Sequence, residues 1–129
     1  MKTPLWKRKK NKSSTYWRTK ADTEVTKYYT GLPCKICDKT NTCGHHLVRR
    51  EVAYYRHHPQ NIIPLCPLHH KYSNDIAAHS TNLLAQTAFK EWIEENYRAG
   101  YKCLQEQGLH EGEKVDYEQA YNEWKELNE

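Results

Sequence analysis

The sequence is short of the side chains that usually fill a protein interior. It has one Phe and one Met among 129 residues, against ten Tyr and four Trp. Amphipathic aromatics bring OH and NH groups that want partners, and a chain of this length buries only a modest core. Hydrophobic residues make up 37% and charged residues 28%, so the chain is globular but polar. Such a core usually needs a staple, and a bound metal is one option. No apolar run approaches the length of a membrane span, so no membrane partner is expected. The basic N-terminus is followed by no apolar stretch of the kind a secretory signal carries. A cytoplasmic setting with reduced thiols is therefore expected. The five cysteines are an odd number, and in a reducing compartment Cys34-x-x-Cys37 suggests metal before disulfide.

The net charge of +4 hides a gradient. Lys and Arg outnumber acids nine to two in residues 1–30 and six to three in 31–80, whereas acids lead eleven to five in 81–129. A basic front half suits a polyanion, because each cation that meets a phosphate releases counterions; a solvated tail beside an acidic helical surface gives the same charge pattern. Three segments follow. Residues 1–30 read as a weakly structured, flexible basic arm, with Lys7, Arg8, Lys9 and Lys10 placed to contact nucleic acid and Trp6, Tyr16 and Trp17 either to stack on bases or to dock on the domain. Residues 31–80 hold most of the Cys and His. Residues 81–129 read as a helical extension, with amphipathic helices over 82–98 (Gly100 as the stop) and 116–128. Asp116 with Gln119 resembles a capping box. Aromatic stripes at helical spacing are usually packing, so these helices are assigned to core or partner contact.

Cys34-Lys35-Ile36-Cys37 can place two thiolates on one ion from a tight turn, and Cys66-Pro67-Leu68-His69 offers a second pair at the same spacing. Together Cys34, Cys37, Cys66 and His69 make a Cys3His set, a regular structural zinc combination. The ion would tie together the two ends of the central segment. Cys43 is a rival fourth ligand, and Cys103 reads as a plain thiol.

Seven of the eight histidines lie between positions 45 and 79. Asn61 to Cys66 reads as a short strand with Pro64 at an edge, and Pro67 opens a helix. On that helix His70 and Asn74, four apart, would stack on one face and present a nitrogen and an oxygen to one cation. Adding His45 gives three protein ligands and leaves positions open for water and phosphate. His46 would stand beside the ion and take a proton from an attacking water. His79, nine residues past His70, falls on the opposite helical face and ranks low.

His45-His46, Asn61 after fourteen residues and His70 after eight more resemble the HNH (ββα-metal) nuclease motif, with spacing nearest to the colicin DNases. The flanking Cys34-x-x-Cys37 and Cys66-x-x-His69-His70 look like the zinc-stapled branch found among phage and bacterial HNH proteins. The resemblance covers roughly residues 33–80. It implies an α+β fold: a small ββα-metal core with a zinc knuckle, flanked by helices and the basic arm. It implies a phosphodiester hydrolase that leaves 5′-phosphate and 3′-hydroxyl ends. His46 would be the general base, His45 and His70 metal ligands, and Asn61 the residue that fixes the loop and orients the base. Asn74 stands where the colicin-like pattern has a third histidine, which favours harder cations such as Mg2+ or Mn2+, with Ni2+ or Zn2+ as alternatives. Arg49, Arg50 and Arg56 follow the base closely, and one could clamp a phosphate oxygen.

Double-stranded DNA is the expected partner, with a homodimer or a protein partner as further roles for the C-terminal helices. The competing reading is a zinc-stapled DNA-binding or protein-interaction module with no cleavage.

Overall fold

The computed structural model describes residues 13–129. The basic cluster Lys7, Arg8, Lys9 and Lys10 lies outside them. The elements follow the order α1 (Ser14–Tyr29), β1 (Cys43–His46), the one-turn α2 (Ala53–Arg56), β2 (Ile62–Leu65), α3 (Leu83–Asn96), α4 (Arg98–Glu106) and α5 (Tyr117–Leu127). Short 3-10 turns precede β2 and follow α4, and a π-helical turn over Leu68–Tyr72 follows β2. The chain is thus α+β, with a two-stranded antiparallel sheet.

Residues 14–29 are helical rather than weakly structured. Ser13 caps the helix by accepting from the Tyr16 N–H at 3.1 Å, and no Gly or Pro interrupts it. Ala21, Val25 and Tyr29, spaced four apart, bury one face. That face meets α5: Trp17 packs on Tyr121 at 5.6 Å, and Tyr28 and Tyr29 on Trp124 at 5.3 and 5.8 Å between ring centroids. The buried Trp124 donates its indole N–H to the His57 carbonyl at 2.8 Å, which meets the demand a buried indole makes.

In the sheet, His45 lies opposite Ile63 and His46 opposite Ile62. Alternation sends neighbours to opposite faces. Ile62 joins Val25, Tyr29 and Trp124 on one side, while Ile63 and Leu65 join Cys34, Cys66, Phe89 and Ile93 on the other. The strands are therefore covered by α1 and α5 on one face and by α3 and the knuckle on the other. Gly44 lets α1 approach: a Cβ there would come within 3.1 Å of Ile62 and 3.3 Å of Tyr29.

The helices expected over 82–98 and 116–128 form as α3 and α5. Asn82 caps α3 by accepting from Leu84 N–H at 2.9 Å, and Asp116 caps α5 by accepting from Gln119 N–H at 3.1 Å. The break after α3 falls at Tyr97, not Gly100. Gly100 lies inside α4 and is buried, with Leu47 and Tyr97 where a Cβ would stand. Its role is close packing.

Candidate metal centres and cleft

Cys34 and Cys37 sit in a turn between α1 and β1. The Cys34 N–H bonds to the Lys39 carbonyl at 2.7 Å, and the Cys34 carbonyl accepts from Asp38 N–H at 2.9 Å. Asp38 has a φ of 65°, a left-handed conformation that Asp tolerates better than most residues. The Lys35 N–H bonds to the Pro64 carbonyl at 2.9 Å and so fastens the knuckle to β2. Cys66 directly follows β2, and His69 lies on the π-helical turn.

These four side chains converge, as the spacing predicted. The His69 Nδ1 lies 3.8 Å from the Cys34 Sγ and 3.4 Å from the Cys66 Sγ, and the sulfurs of Cys37 and Cys66 are 3.5 Å apart. A tetrahedral ion with bonds of about 2.3 Å to sulfur and about 2.0 Å to nitrogen keeps such donors roughly 3.5–3.8 Å apart. The set Cys34, Cys37, Cys66 and His69 can therefore hold a metal such as zinc. Burial pushes the Cys34 thiol up, but backbone N–H donors around it outweigh burial and hold it below its ordinary value. Cys43 is not part of this group; its sulfur lies 3.9 Å from His70 Nδ1. Cys103 packs with Val48, Val52 and Tyr55 as a buried thiol.

A second group forms from His45, His70 and His79, whose donor atoms all lie within 4.8 Å of one another. The ring centroids are 4.7 to 5.1 Å apart. His45 is buried against Phe89. Burial, reinforced by His79, His70 and His46, pushes its pKa down to about 3. Its imidazole is neutral, as a metal ligand must be. Burial likewise lowers His70.

His79 reaches this group because the helix after Cys66 does not continue. The Ser73 N–H bonds back to the Leu68 carbonyl at 2.7 Å, a π-type closure. The Ser73 hydroxyl then accepts from Asp75 and Ile76 N–H, which turns the chain. The returning segment bonds to the turn it left: Ala78 N–H to the His69 carbonyl at 2.9 Å, and His79 N–H to the His70 carbonyl at 2.7 Å. Asn74 therefore lies beyond the helix, exposed in the bend, and the stacking that would have paired it with His70 is absent. The third imidazole comes from the residue that helical arithmetic ranked low.

His46, adjacent in sequence, is held differently. Its Nε2 lies 2.8 Å from the Arg56 carbonyl oxygen. A carbonyl only accepts, so Nε2 carries the hydrogen and Nδ1 keeps a lone pair. Burial lowers the His46 pKa, opposed by that hydrogen bond and assisted by the charges of Arg50 and Arg56; the ring is neutral near pH 7. Asn61 holds the loop that carries Arg56. It is fully buried; its Oδ1 accepts from Val48 N–H at 2.7 Å, and its Nδ2 donates to the carbonyls of Val48 and Tyr55 at 3.1 and 3.0 Å.

His45, His46, His70 and His79 open onto a cleft of about 410 Å3, which Cys43, Asp22, Arg49 and Arg50 also line. Arg49 pairs with Glu111 at 3.0 Å, and Arg50 with Asp22 at 3.3 Å. Arg56 turns away into a two-pronged pair with Asp22, at 2.9 and 2.6 Å. Asp22 also receives the His57 Nε2 at 2.7 Å. Burial pushes its carboxyl up, but the hydrogen bonds from His57 and Arg56 outweigh it and hold the group well below the usual carboxylate range. Sequence reasoning missed Asp22: one acid in a basic segment carries no local signal of three long-range partners.

No protein-family model, curated protein or solved structure matches this chain.

Proposed function

We propose that this protein is a metal-dependent nuclease of the HNH type that hydrolyses phosphodiester bonds in DNA. The observation that carries the reading is the pairing of two kinds of histidine on one short strand. His45 joins His70 and His79 in a three-nitrogen group, while His46 keeps an unprotonated Nδ1 because its Nε2 is engaged by Arg56. Three protein donors leave coordination positions for water and phosphate, and a neutral imidazole beside them can act as general base.

In this reading a cation on the triad supplies charge stabilisation for the phosphate and the leaving oxygen. His46 accepts the proton of the attacking water at Nδ1. Asn61 and the Arg56 carbonyl keep its ring in that tautomer. Arg49 and Arg50 exchange their carboxylate partners for phosphate oxygens, a bond their planar heads suit. The donor set now favours a borderline ion such as Zn2+, Ni2+ or Co2+ over Mg2+ or Mn2+, because the hard oxygen of Asn74 is replaced by a third imidazole.

The test is nicking of supercoiled plasmid by the wild-type protein and by His46→Ala, with each of these metals. Metal-dependent nicking that His46→Ala abolishes supports the reading. Nicking that survives the substitution overturns His46 as the base. Salt-dependent DNA binding without nicking leaves the non-cleaving, zinc-stapled binding module.

A further inference from the structure

Cys43 is a cleft residue that neither the knuckle nor the proposed nuclease chemistry uses. We infer that Cys43 is a fourth donor to the His45/His70/His79 group, making a His3Cys site for a thiophilic divalent cation such as Zn2+, Co2+ or Cd2+. This rests on reading the three histidines as a metal centre.

Three observations place the thiol there. Cys43 and His45 are two apart on β1, opposite Leu65 and Ile63, so alternation puts both side chains on one face of the sheet. The Cys43 sulfur lies 3.9 Å from the His70 Nδ1, close to the separation of about 3.5 Å that sulfur and nitrogen keep on a shared tetrahedral ion. Cys43 also lines the same cleft as the three imidazoles and is exposed. In its present rotamer the sulfur reaches His70 but not the whole triad. Rotation about its Cα–Cβ bond swings it toward the ion position. On binding, the thiol gives up its proton to solvent, and the thiolate donates a lone pair to the cation.

A thiolate alters the site in two ways. It selects soft and borderline ions over Mg2+. It also fills a position that a phosphate oxygen would otherwise take, so the four-donor form is a resting state that substrate opens by displacing the sulfur.

The experiment is a Co2+ titration of the full-length protein carrying one equivalent of Zn2+ at the knuckle. The wild type is expected to take up a second equivalent with a near-ultraviolet thiolate-to-cobalt band. Cys43→Ser keeps the visible bands of cobalt on imidazole, loses the near-ultraviolet band and binds the second equivalent at least about tenfold more weakly. Cys103→Ser, at a buried thiol away from the cleft, leaves the band unchanged. His45→Ala removes the second equivalent and its band together. A thiolate band that persists in Cys43→Ser or in His45→Ala belongs to the knuckle and overturns the inference. So does a second equivalent without the band, which still leaves the three-histidine centre standing. Uptake of one equivalent only overturns both. Plasmid nicking reads the nuclease separately: the band in an inert protein keeps the thiol ligand and removes the nuclease.

Discussion

The Nε2 of His46 lies 2.8 Å from the carbonyl oxygen of Arg56, ten residues along the chain. That contact decides which nitrogen is basic. Because the carbonyl takes the Nε2 hydrogen, the lone pair is on Nδ1, and in the proposed reaction the proton acceptor would be fixed before substrate arrives. Replacing His46 by Ala should lower the nicking rate by about 10²–10⁴-fold, the usual share of a general base, while the amount of metal bound stays the same. Measured together, these separate loss of the base from loss of the ion. A parallel fall in metal content would mean that His46 serves as a ligand.

Asn61 is the residue on which that geometry depends. All three of its side-chain hydrogen bonds end on backbone groups of residues 48 and 55, and the side chain is fully buried. Asn61→Ala strands a buried N–H and leaves two carbonyls short of a donor, at roughly 1–3 kcal/mol for such a group. A total loss of about 2–4 kcal/mol is expected in urea unfolding, with reduced nicking even where the protein remains folded. Asn61→Asp should be at least as damaging, since it keeps the acceptor, removes both donors and buries a charge. Unchanged stability in either variant would refute the loop-pinning role.

Much of this was legible along the chain because the informative contacts are local. The knuckle is two pairs at a spacing of three, and such pairs place ligands without knowledge of the rest of the fold. The cap at Asp116 reads directly, for the same reason, whereas the cap at Asn82 came only with the structure. His79 was hidden because a nine-residue separation was converted into a helical angle, and the helix ends at Tyr72 in a π turn. That ending depends on a Ser73 hydroxyl and on backbone bonds between the turn and the returning residues 78 and 79. Helix α1 was hidden because its buried apolar stripe is only Ala21, Val25 and Tyr29 among charged and β-branched residues. Its stability comes from α5, about a hundred residues away in sequence, where Asn128 donates to the Glu24 carbonyl and carboxylate at 2.8 and 2.9 Å. Propensity within the segment carries no trace of that partner.

Asp22 should make stability depend on acid. Arg50, Arg56 and His57 face its carboxylate, and the group is held well below its ordinary value of 3.8. The unfolded chain takes up the proton first as pH falls, so folding is stabilised above that value and the stabilisation drains away below it. The contribution near pH 6 should be on the order of 2 kcal/mol. Asp22→Asn should lower stability by about that much at pH 6 and flatten the acid limb, because no proton then binds at this site. Acid also strips metal from Cys and His ligands, so the comparison is between the slopes of the two proteins below pH 5. Parallel slopes would show that the cluster contributes nothing to acid sensitivity.

Chelation should act on the core and not only on chemistry. Cys34 and Cys66 belong to the same buried cluster as Ile63, Leu65, Phe89 and Ile93, so an ion on the knuckle ties α3, β2 and the turn before β1 together. Removing it places three sulfurs and an imidazole side by side with nothing to neutralise or order them. A loss of at least about 3 kcal/mol is expected, read as a fall in Tm on adding chelator and reproduced by Cys66→Ser without it. A Tm indifferent to chelator would contradict the staple.

Gly100 offers a test of packing behind the cleft. It sits inside α4, where glycine is otherwise unfavourable by about 1 kcal/mol relative to alanine. A Gly100→Ala change on an open helix face would therefore stabilise. Here the new Cβ would meet the Leu47 side chain and come within 2.6 Å of the Tyr97 ring. Leu47 directly follows His46 and packs against the central core, so displacing it disturbs the strand end that carries His46. Overpacking of this kind costs about 1–3 kcal/mol, which outweighs the gain in propensity, and Gly100→Ala should be destabilising. Adding Leu47→Ala removes one of the two obstructions at the price of a cavity. The double variant should then be less damaged than the two single losses together, with a coupling of about 0.5–3 kcal/mol. Strict additivity would place the cost of Gly100→Ala on Tyr97 alone and would free Leu47 of any part in it.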